Sequence, residues 1–336
     1  MCMVKIITIY PNFSVQGGAQ NVAFQLAEKL NDTSEIIILT DTPQKLIHSQ
    51  YKRKGVVFLS FSWKNVRILA REQNCIFLSH HRKSTTILYL YLSLLGKREK
   101  MIHVAHSVLE SFKYMTLFPK HIVAVSHAVK ANLISYFGVR EDRISVIYNG
   151  IPDLVKKNQA TLEDDRKIRI LFPARIDPGK NQLRLVREIA CYLPANIELY
   201  FAGIGPEYEE LKQLSELYVN IFCLGFVDIE KIIQEYDYVM LFSQREGFGL
   251  ALVEGLRSGL PLITNKIPVF YEINQEGSIG YMFENFDELI AKISLLVPSS
   301  SLKYKEMSKN ARLRYENLFA EEQMLEKYRL YINKLL

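Results

Sequence analysis

The sequence alternates short runs of β-branched and aromatic residues with longer stretches of helical periodicity, and this alternation constrains the fold more than any other feature. Strands that are separated by helices pair in parallel, and the helices cover both faces of the sheet. Twelve runs are short and apolar enough to be buried strands. They are VKIITIY (4–10), EIIILT (35–40), VVFLS (56–60), CIFLS (75–79), MIHVAH (101–106), HIVAVS (121–126), ISVIYN (144–149), IRILFPA (168–174), IELYFAG (197–203), NIFCLGF (220–226), YVMLFS (238–243) and LPLITN (260–265).

A polar segment, IPDLVKKNQATLEDDRK (151–167), interrupts the alternation after the seventh run. It lacks apolar periodicity and is typical of a linker. A chain of 336 residues is also long for one core, since domains average about 150 residues. The sequence therefore predicts an α/β protein with two doubly wound domains, 1–153 and 154–319, whose ligands bind at the carboxyl ends of the strands.

Several function classes lack their sequence signals. The longest apolar run, ILYLYLSLL (87–95), has nine residues, far fewer than the roughly 20 that span a membrane. The start of the chain is typical of a first strand rather than of a signal peptide. Cys2, Cys75, Cys191 and Cys223 form no C-x-x-C pair, and no H-E-x-x-H, D-x-D or G-x-S-x-G motif is present. We expect reduced thiols, a cytoplasmic location and no metal centre.

Charge is unevenly distributed along the chain. Residues 1–153 carry 19 Lys and Arg against 10 Asp and Glu, a net charge of +9, whereas 154–336 carry 23 against 26, a net charge of −3. A basic half indicates contact with an anionic lipid leaflet or a phosphorylated acceptor, and an ordinary solvated surface is the alternative. The segment ILYLYLSLLGKREK (87–100) leaves the same choice between membrane contact and a buried helix that ends in basic residues.

Two loops that follow predicted strands carry phosphate-binding features. In PNFSVQGGAQ (11–20), Gly17 and Gly18 precede a helix, where glycine lets backbone amides approach an anion, although a plain turn has the same sequence. In FPARIDPGKN (172–181), Arg175 and Lys180 place two cations suited to a diphosphate, and a solvated loop is the alternative.

Histidines follow two other strands. His106 ends MIHVAHSV and is better placed for chemistry than His103 within the strand, which we expect to be structural. His80 and His81 follow another strand, and a lone histidine of this kind is more often structural than catalytic.

The segment AGIGPEYEEL (202–211) resembles part of a dinucleotide fingerprint. It has G-x-G, but Tyr208 replaces the third glycine, and Asp228 lies about 20 residues further on. This partial match is the main sequence indication of a nicotinamide enzyme, but ordinary helix initiation is the preferred interpretation. Pro206 in the first turn of a helix would explain the segment as ordinary helix initiation.

The segment REGFGLALVEGLRSGLPLI (245–263) places Glu246 and Glu254 among apolar residues. A buried carboxylate without a partner is costly, so each either faces solvent or binds something. The pattern predicts a helix that begins near Phe248 or Gly249, with Glu246 before it and Glu254 on it. Arg257 is a candidate ion-pair partner of Glu254 at i+3.

Taken together, these segments resemble the retaining glycosyltransferases of family 4, which have the two-domain GT-B fold with two Rossmann-like domains facing a central cleft. The likeness covers nearly the whole chain, and its most specific part is the E-x7-E motif from Glu246 to Glu254. The other matching segments are QGGAQNVAFQLAEKL, VAVSHAVKANL with ISVIYNGI, RIDPGKN, and AGIGPEYEEL with CLGFV. The resemblance also implies that a helix at about 320–336 packs back on the first domain.

The resemblance implies a role for each matching residue. Arg175 and Lys180 hold the diphosphate of the donor, Glu246 contacts its sugar, and Glu254 binds its ribose. His106 lies near the reacting carbon, so Glu246 and His106 are the expected catalytic residues. The remaining donor-binding residues are Gly17 and Gly18 at the phosphates, Phe248, Gly249 and Leu250 at sugar and phosphate, and Gly225, Phe226 and Val227 near the base.

The expected activity is transfer of a hexose from a UDP or GDP sugar to a glycan, with retained configuration and without metal or other cofactor. A lipid-linked saccharide of lipopolysaccharide, O-antigen or capsule biosynthesis is the expected acceptor, nucleic acid is not a partner, and peripheral contact with the inner face of the plasma membrane is expected. A nicotinamide-dependent oxidoreductase and a nucleotide-binding protein without enzymatic activity are the alternatives.

Overall fold

The structure is a computed structural model that describes residues 4–31, 35–154 and 167–335. Cys2 and most of the predicted linker, residues 155–166, lie outside these described residues. The chain divides into two compact units. Unit 1 consists of Met1–Asn149 and Met324–Leu336, and unit 2 of Gly150–Gln323.

Unit 1 is built on a parallel sheet. Its strands are β1 (Lys5–Ile9), β2 (Ile36–Thr40), β3 (Val56–Ser60), β4 (Cys75–Ser79), β5 (Met101–Ala105), β6 (His121–Ala124) and β7 (Ile144–Val146). Their order in the sheet is β3-β2-β1-β4-β5-β6-β7. Since the strand order reverses direction beside β1, this is a doubly wound sheet, and the carboxyl ends of all seven strands meet at one edge.

Amphipathic helices cover this sheet. Helix α1 buries Val22, Ala23 and Leu26 against it, and Ser126 caps α4 by accepting a hydrogen bond of 3.1 Å from the Val129 amide. These helices are α1 (Gly18–Leu30), α2 (Trp63–Leu69), α3 (Arg82–Leu94) and α4 (His127–Ser135).

Unit 2 repeats the plan with a second parallel sheet. Its strands are β8 (Ile168–Pro173), β9 (Ile197–Ala202), β10 (Ile221–Gly225), β11 (Tyr238–Leu241), β12 (Leu262–Asn265) and β13 (Gly280–Phe283). They lie in the order β10-β9-β8-β11-β12-β13. The sequence did not predict β13, which has four residues and begins with a glycine. A Cβ atom on Gly280 would lie 2.0 Å from the Leu262 carbonyl oxygen, so this edge strand pairs closely only because its first residue is glycine.

The remaining helices belong to unit 2, except the last. They are α5 (Gln182–Ile189), α6 (Tyr208–Ser215), α7 (Ile229–Ile232), α8 (Leu250–Arg257), α9 (Pro268–Asn274), α10 (Phe286–Lys292), α11 (Leu302–Arg314) and α12 (Glu321–Asn333). Helix α12 crosses the boundary between the units, and from Met324 onwards it belongs to unit 1. There it buries Tyr328 and Ile332, and the Arg329 guanidinium donates a hydrogen bond of 3.0 Å to the Lys29 carbonyl.

Each of the twelve predicted runs contains a strand, so the predicted α/β class with two doubly wound sheets is confirmed. Helix α3 buries Leu88 and Leu92 in the core of unit 1, as the buried-helix interpretation of 87–100 expected. Among the described residues no helix has the length and apolar character of a membrane span.

Candidate functional site

In unit 2 the loops that follow β8 and β11 are hydrogen-bonded to each other. The backbone amide of Gln244 donates to the Gly179 carbonyl at 2.9 Å, and its side-chain amide donates to the Pro178 carbonyl and to Asn181 Oδ1, each at 3.1 Å. The Asn181 side chain donates to the Phe242 carbonyl at 3.0 Å. These bonds fix the two loops against each other at adjacent strand ends.

The two joined loops bring Lys180 and Glu246 together. The Lys180 ammonium donates to Glu246 Oε1, which also accepts a hydrogen bond of 3.2 Å from the Ser243 hydroxyl. Both side chains are half-buried, so water screens this pair less than it screens a surface pair. A cation and a carboxylate that lie 66 positions apart therefore form one polar centre.

Arg175 lies outside this centre. Its side chain is 69% exposed, and its Nε lies 3.8 Å from Asp177 Oδ2. Of the two cations that the sequence proposed for a diphosphate, the structure holds Lys180 in place and leaves Arg175 extended into solvent.

Helix α8 begins directly after the polar centre, at Leu250 rather than at Phe248 or Gly249. Gly249 has a φ of 94°, a left-handed conformation that favours glycine, and it forms the N-cap. Phe248 is buried against Phe319, with the ring centroids 5.8 Å apart, and this contact anchors the turn. The positive end of α8 therefore lies at the loop that carries Glu246.

Glu254 lies on α8 and is half-buried. Burial raises the pKa of its carboxyl group to about 7, although Arg257 acts in the opposite direction. The Arg257 guanidinium does not hydrogen-bond to Glu254 and donates instead to Glu230 at 2.8 Å and to the Pro152 carbonyl at 3.0 Å. Within the described part of the chain, no hydrogen bond reaches the Glu254 carboxylate.

The glycines of AGIGPEYEEL have a packing role. A Cβ atom on Gly203 would lie 2.1 Å from the Ala174 carbonyl oxygen, and one on Gly205 would lie 2.1 Å from the Ile176 carbonyl oxygen. The loop after β9 therefore packs directly on the loop that leads to Lys180. Helix α6 begins at Tyr208, so the expectation that Pro206 lies in its first turn is wrong: the proline precedes the helix.

The predicted base-binding residues lie at the end of β10, beside this loop: Gly225 is the last residue of the strand, and Phe226 and Val227 follow it. The Gly225 carbonyl accepts a hydrogen bond of 2.7 Å from the Gly203 amide, and Gly225 has a φ of 69°. Phe226 is exposed and Val227 is half-buried. The three residues therefore border the same edge of the unit 2 sheet as Lys180.

In unit 1, Gly17 and Gly18 lie at the start of α1. Gly17 is the N-cap in an extended conformation, and Gly18 is the first helical residue and is exposed. A Cβ atom on Gly17 would meet the flexible Gln20 side chain at 2.4 Å. The turn thus presents exposed backbone at a helix N-terminus, as the sequence predicted.

His106 follows β5 and is paired with His80, which follows β4. His106 Nε2 lies 2.9 Å from His80 Nδ1, and the rings stack with their centroids 5.2 Å apart. Burial lowers the pKa of His106 to about 4 and lowers the pKa of His80 well below its ordinary value, so both rings are neutral at pH 7. His103 Nδ1 is hydrogen-bonded to Thr85 Oγ1 at 2.7 Å, which agrees with the expected structural role.

Two contributors to these sites were not recognised from the sequence, and a third, His80, was named there without its contact with His106. Gln244 and Asn181 pin the loops of unit 2, and no local pattern indicates a contact across more than 60 positions. His80 had a usable signal, because residues that follow neighbouring parallel strands meet at the same sheet edge.

Unit 1 also has a depression of ≈ 540 Å³ at the carboxyl ends of β2 and β3. Its lining combines hydroxyl, amide and carboxyl groups with aromatic rings. Among its lining residues are Thr40, Asp41, Thr42, Gln44, Ser60, Phe61 and Asn65. Over the described ranges, no cluster of three or more His, Cys, Asp or Glu side chains is arranged to hold a metal ion.

Two family models match the chain. The model of the Glycosyltransferase Family 4 matches residues 16–153, and the model of the Glycosyl transferases group 1 matches residues 155–314. The match boundary lies within the predicted linker. The two matches together include every predicted site residue.

Individual relatives share about a quarter of their aligned residues with the chain. The O-antigen biosynthesis glycosyltransferase WbnH of Escherichia coli is 27% identical over 186 residues, which are 52% of this chain and 53% of the relative. This match thus spans about half the length of the relative. The N-acetyl-alpha-D-glucosaminyl L-malate synthase of Bacillus anthracis is 23% identical over 96% of this chain and 94% of its own.

Among solved structures, the Anabaena protein HepE in complex with UDP has a TM-score of 0.84 and 18% identity, covering 98% of this chain and 100% of its own. At that identity the likeness establishes the fold. The GT-B class expected from the sequence is confirmed.

Proposed function

The chain belongs to the glycosyltransferases that the group 1 and family 4 models describe, and from this premise we propose that it moves a sugar from a nucleotide diphosphate sugar to a saccharide acceptor. The observation that carries the proposal is the polar centre of unit 2, where Lys180 and Glu246 meet beside the N-terminus of α8. One side of this centre suits phosphate and the other suits sugar hydroxyls.

Breaking the donor's glycosidic bond makes positive charge on the sugar and negative charge on the leaving diphosphate. Lys180 and the N-terminus of α8 stabilise that negative charge without a metal ion, and the exposed Arg175 joins them when the donor is bound. The acceptor oxygen attacks C1 on the face that the diphosphate leaves, and its proton passes to the leaving phosphate. The anomeric configuration is therefore retained.

Other residues hold the donor. Glu246 accepts hydrogen bonds from the sugar hydroxyls, and the Phe248–Leu250 backbone contacts sugar and phosphate. Glu254 accepts hydrogen bonds from the ribose, for which its unpaired carboxylate is suited. Gly225, Phe226 and Val227 lie along the base. In unit 1, Gly17 and Gly18 approach the phosphates, and His106 acts near C1 as a neutral hydrogen-bonding group.

UDP is the favoured nucleotide, since the structurally similar HepE holds UDP. The acceptor belongs to cell-surface polysaccharide biosynthesis, a class that includes O-antigen biosynthesis, the process named for WbnH. A lipid-linked saccharide fits this assignment and the net charge of +9 on residues 1–153. The polar and aromatic depression beside β2 and β3 is a place for acceptor sugar, and the enzyme works in the cytoplasm at the membrane.

A thermal-shift experiment tests the nucleotide assignment. UDP at about 100 times its Kd should stabilise the protein by about 2.7 kcal/mol, which is a shift of several degrees in Tm. Lys180→Ala should lose most of that shift. Stabilisation by GDP alone would correct the base, whereas stabilisation by NAD alone would favour an oxidoreductase. Stabilisation by no nucleotide would contradict the proposal.

Transfer in the presence of a chelator tests the absence of metal. With UDP-sugar donors and saccharide acceptors, we expect activity to persist in excess EDTA. A strict requirement for a divalent cation would contradict the role given to Lys180 and α8.

A further inference from the structure

The β5–β6 loop, residues 106–120, exposes several large apolar side chains close together. Phe112 is 65% exposed, Tyr114 is 95% exposed and Met115 is 72% exposed, and Leu117 follows them at the surface. Isolated exposed apolar residues are common, but a contiguous apolar patch on a soluble protein usually marks a binding surface.

The exposure does not come from a loosely attached segment. Asn132 makes two hydrogen bonds with the backbone of Leu109, at 3.0 and 3.1 Å. The Leu117 amide donates to Thr86 Oγ1 at 3.2 Å, and the Arg143 guanidinium donates to the Phe118 carbonyl at 2.7 Å. Both sides of the loop are therefore anchored, and the apolar side chains between the anchors face outwards.

Phe112 also has an unfavourable backbone conformation. Its φ of 55° lies in the left-handed region, which costs a bulky L-residue about 1–2 kcal/mol. The Arg82 guanidinium lies 5.6 Å from its ring and donates to the adjacent Ser111 carbonyl. A mostly exposed aromatic ring in this conformation gives the isolated fold little burial energy in return, which points to a role in binding.

Cations surround the apolar tip. The Lys113 ammonium lies 6.0 Å from the Tyr114 ring and 5.8 Å from the Tyr136 ring. Lys120, the last residue of the loop, and Lys83 on α3 are exposed, and Glu110 is the one acidic residue of the loop. Aromatic and aliphatic side chains beside Lys and Arg are the composition of protein surfaces that enter the interface of an anionic bilayer.

We propose that the tip of the β5–β6 loop, Phe112–Met115, inserts into the headgroup region of an anionic lipid bilayer while the neighbouring cations contact lipid phosphates. Four side chains are too few for a stable protein interface, which buries about 1,200–2,000 Å². The inference rests on the proposed function for its purpose: His106 begins the same loop, so the loop would bring a lipid-linked acceptor to the reactive edge of unit 1.

Vesicle flotation tests the proposal directly. The full chain should bind vesicles of equal phosphatidylglycerol and phosphatidylcholine at low salt, and pure phosphatidylcholine much less. Tyr114→Ser with Met115→Ser should weaken binding by at least about tenfold, because the apolar contact is lost. Leu217→Ser with Val219→Ser removes two exposed apolar side chains of unit 2 and should leave binding unchanged.

A fluorescent reporter gives a second measurement. Trp63 is the single tryptophan, so Trp63→Phe with Tyr114→Trp places one indole at the loop tip. Its emission should shift to the blue with anionic vesicles and should be quenched by brominated lipids. Unchanged emission, or equal loss of binding in both serine pairs, would overturn the proposal.

Other outcomes would also overturn it. A triple change to Gln of Lys64 and Arg67 on α2 and Arg71 after it tests another basic surface. If this change abolishes vesicle binding and the Tyr114→Ser, Met115→Ser variant does not, the membrane contact belongs to α2. A concentration-dependent dimer that the loop pair abolishes would assign the patch to a second copy. UDP stabilisation separates the two proposals, because it reports donor binding whether or not vesicles are bound.

Discussion

The two units have the same architecture, but the side chains at the carboxyl edges of their sheets differ in charge. In unit 1, burial keeps His80 and His106 uncharged and stacked on each other. In unit 2, Lys180 and Glu246 form an ion pair. A parallel sheet thus decides where a site lies, whereas the loops decide what chemistry it has. The strand ends of unit 2 thus carry an ion pair, whereas those of β4 and β5 in unit 1 carry two neutral imidazoles.

The largest expected effect is on the charged site. Lys180→Ala removes the phosphate-binding cation and leaves Glu246 half-buried without its partner, so kcat/KM should fall about 10²–10³-fold with folding intact. The matched control, Arg187→Ala, removes the cation of an exposed ion pair with Glu210 and should leave kcat/KM unchanged. Near-normal activity of Lys180→Ala would contradict the phosphate-binding role proposed for the ion pair of unit 2.

The second prediction tests the tight packing of the loops in unit 2. Gly205→Ala places Cβ 2.1 Å from a carbonyl oxygen and should lower the free energy of unfolding by about 3 kcal/mol or more. Gly96→Ala is the control in unit 1, because it has a φ of 67° and open space around it. It should cost only about 1 kcal/mol. If urea unfolding shows equal losses of free energy for the two variants, the backbone around Gly205 moves enough to accommodate the Cβ atom, and the prediction is wrong.

The third prediction concerns pH and stability. A histidine whose pKa falls from 6.5 to about 4 on folding binds fewer protons than in the unfolded chain, so stability is full above pH 6.5 and is lost as pH falls. Between pH 7 and 5, His106 should account for about 2 kcal/mol, and His106→Asn should remove that part. Glu254 has the opposite sign, because its raised pKa means that stability is lost as pH rises towards 7. Identical pH profiles for wild type and His106→Asn would contradict the assignment.

The smallest expected effect concerns the ribose. If ionised Glu254 accepts hydrogen bonds from it, nucleotide affinity should rise by up to about tenfold between pH 6 and 8, since the carboxyl pKa is about 7. Calorimetry with Glu254→Gln should show weaker nucleotide binding that no longer rises with pH. A transfer assay of the same variant should show a nearly unchanged kcat. Glu246→Gln should instead lower kcat. A pH slope that persists in Glu254→Gln would assign it to another group.

Much of the fold was predictable because strand and helix periodicities are local. Each predicted run contains a strand. One further strand, β13, was missed because it begins with glycine, which has low strand propensity. Pro206 was misplaced because helix initiation by proline is common but is not required.

The site was less predictable because its geometry depends on contacts between distant loops. The sequence named Lys180 and Glu246 separately, but their direct pairing depends on Gln244 and Asn181, whose hydrogen bonds have no local signature. It also grouped Arg175 with Lys180, whereas the structure holds only Lys180 in place.

The Lys180–Glu246 pair has a consequence for selectivity against the simple anions of the cell. Free phosphate that binds Lys180 lies close to the Glu246 carboxylate, and repulsion between the two anions is unfavourable. The donor that we propose offers hydroxyls to Glu246 as its phosphates reach Lys180, so both members of the pair gain new partners. If the proposed donor binds here, we expect the ion pair to favour a sugar joined to a phosphate over either group alone.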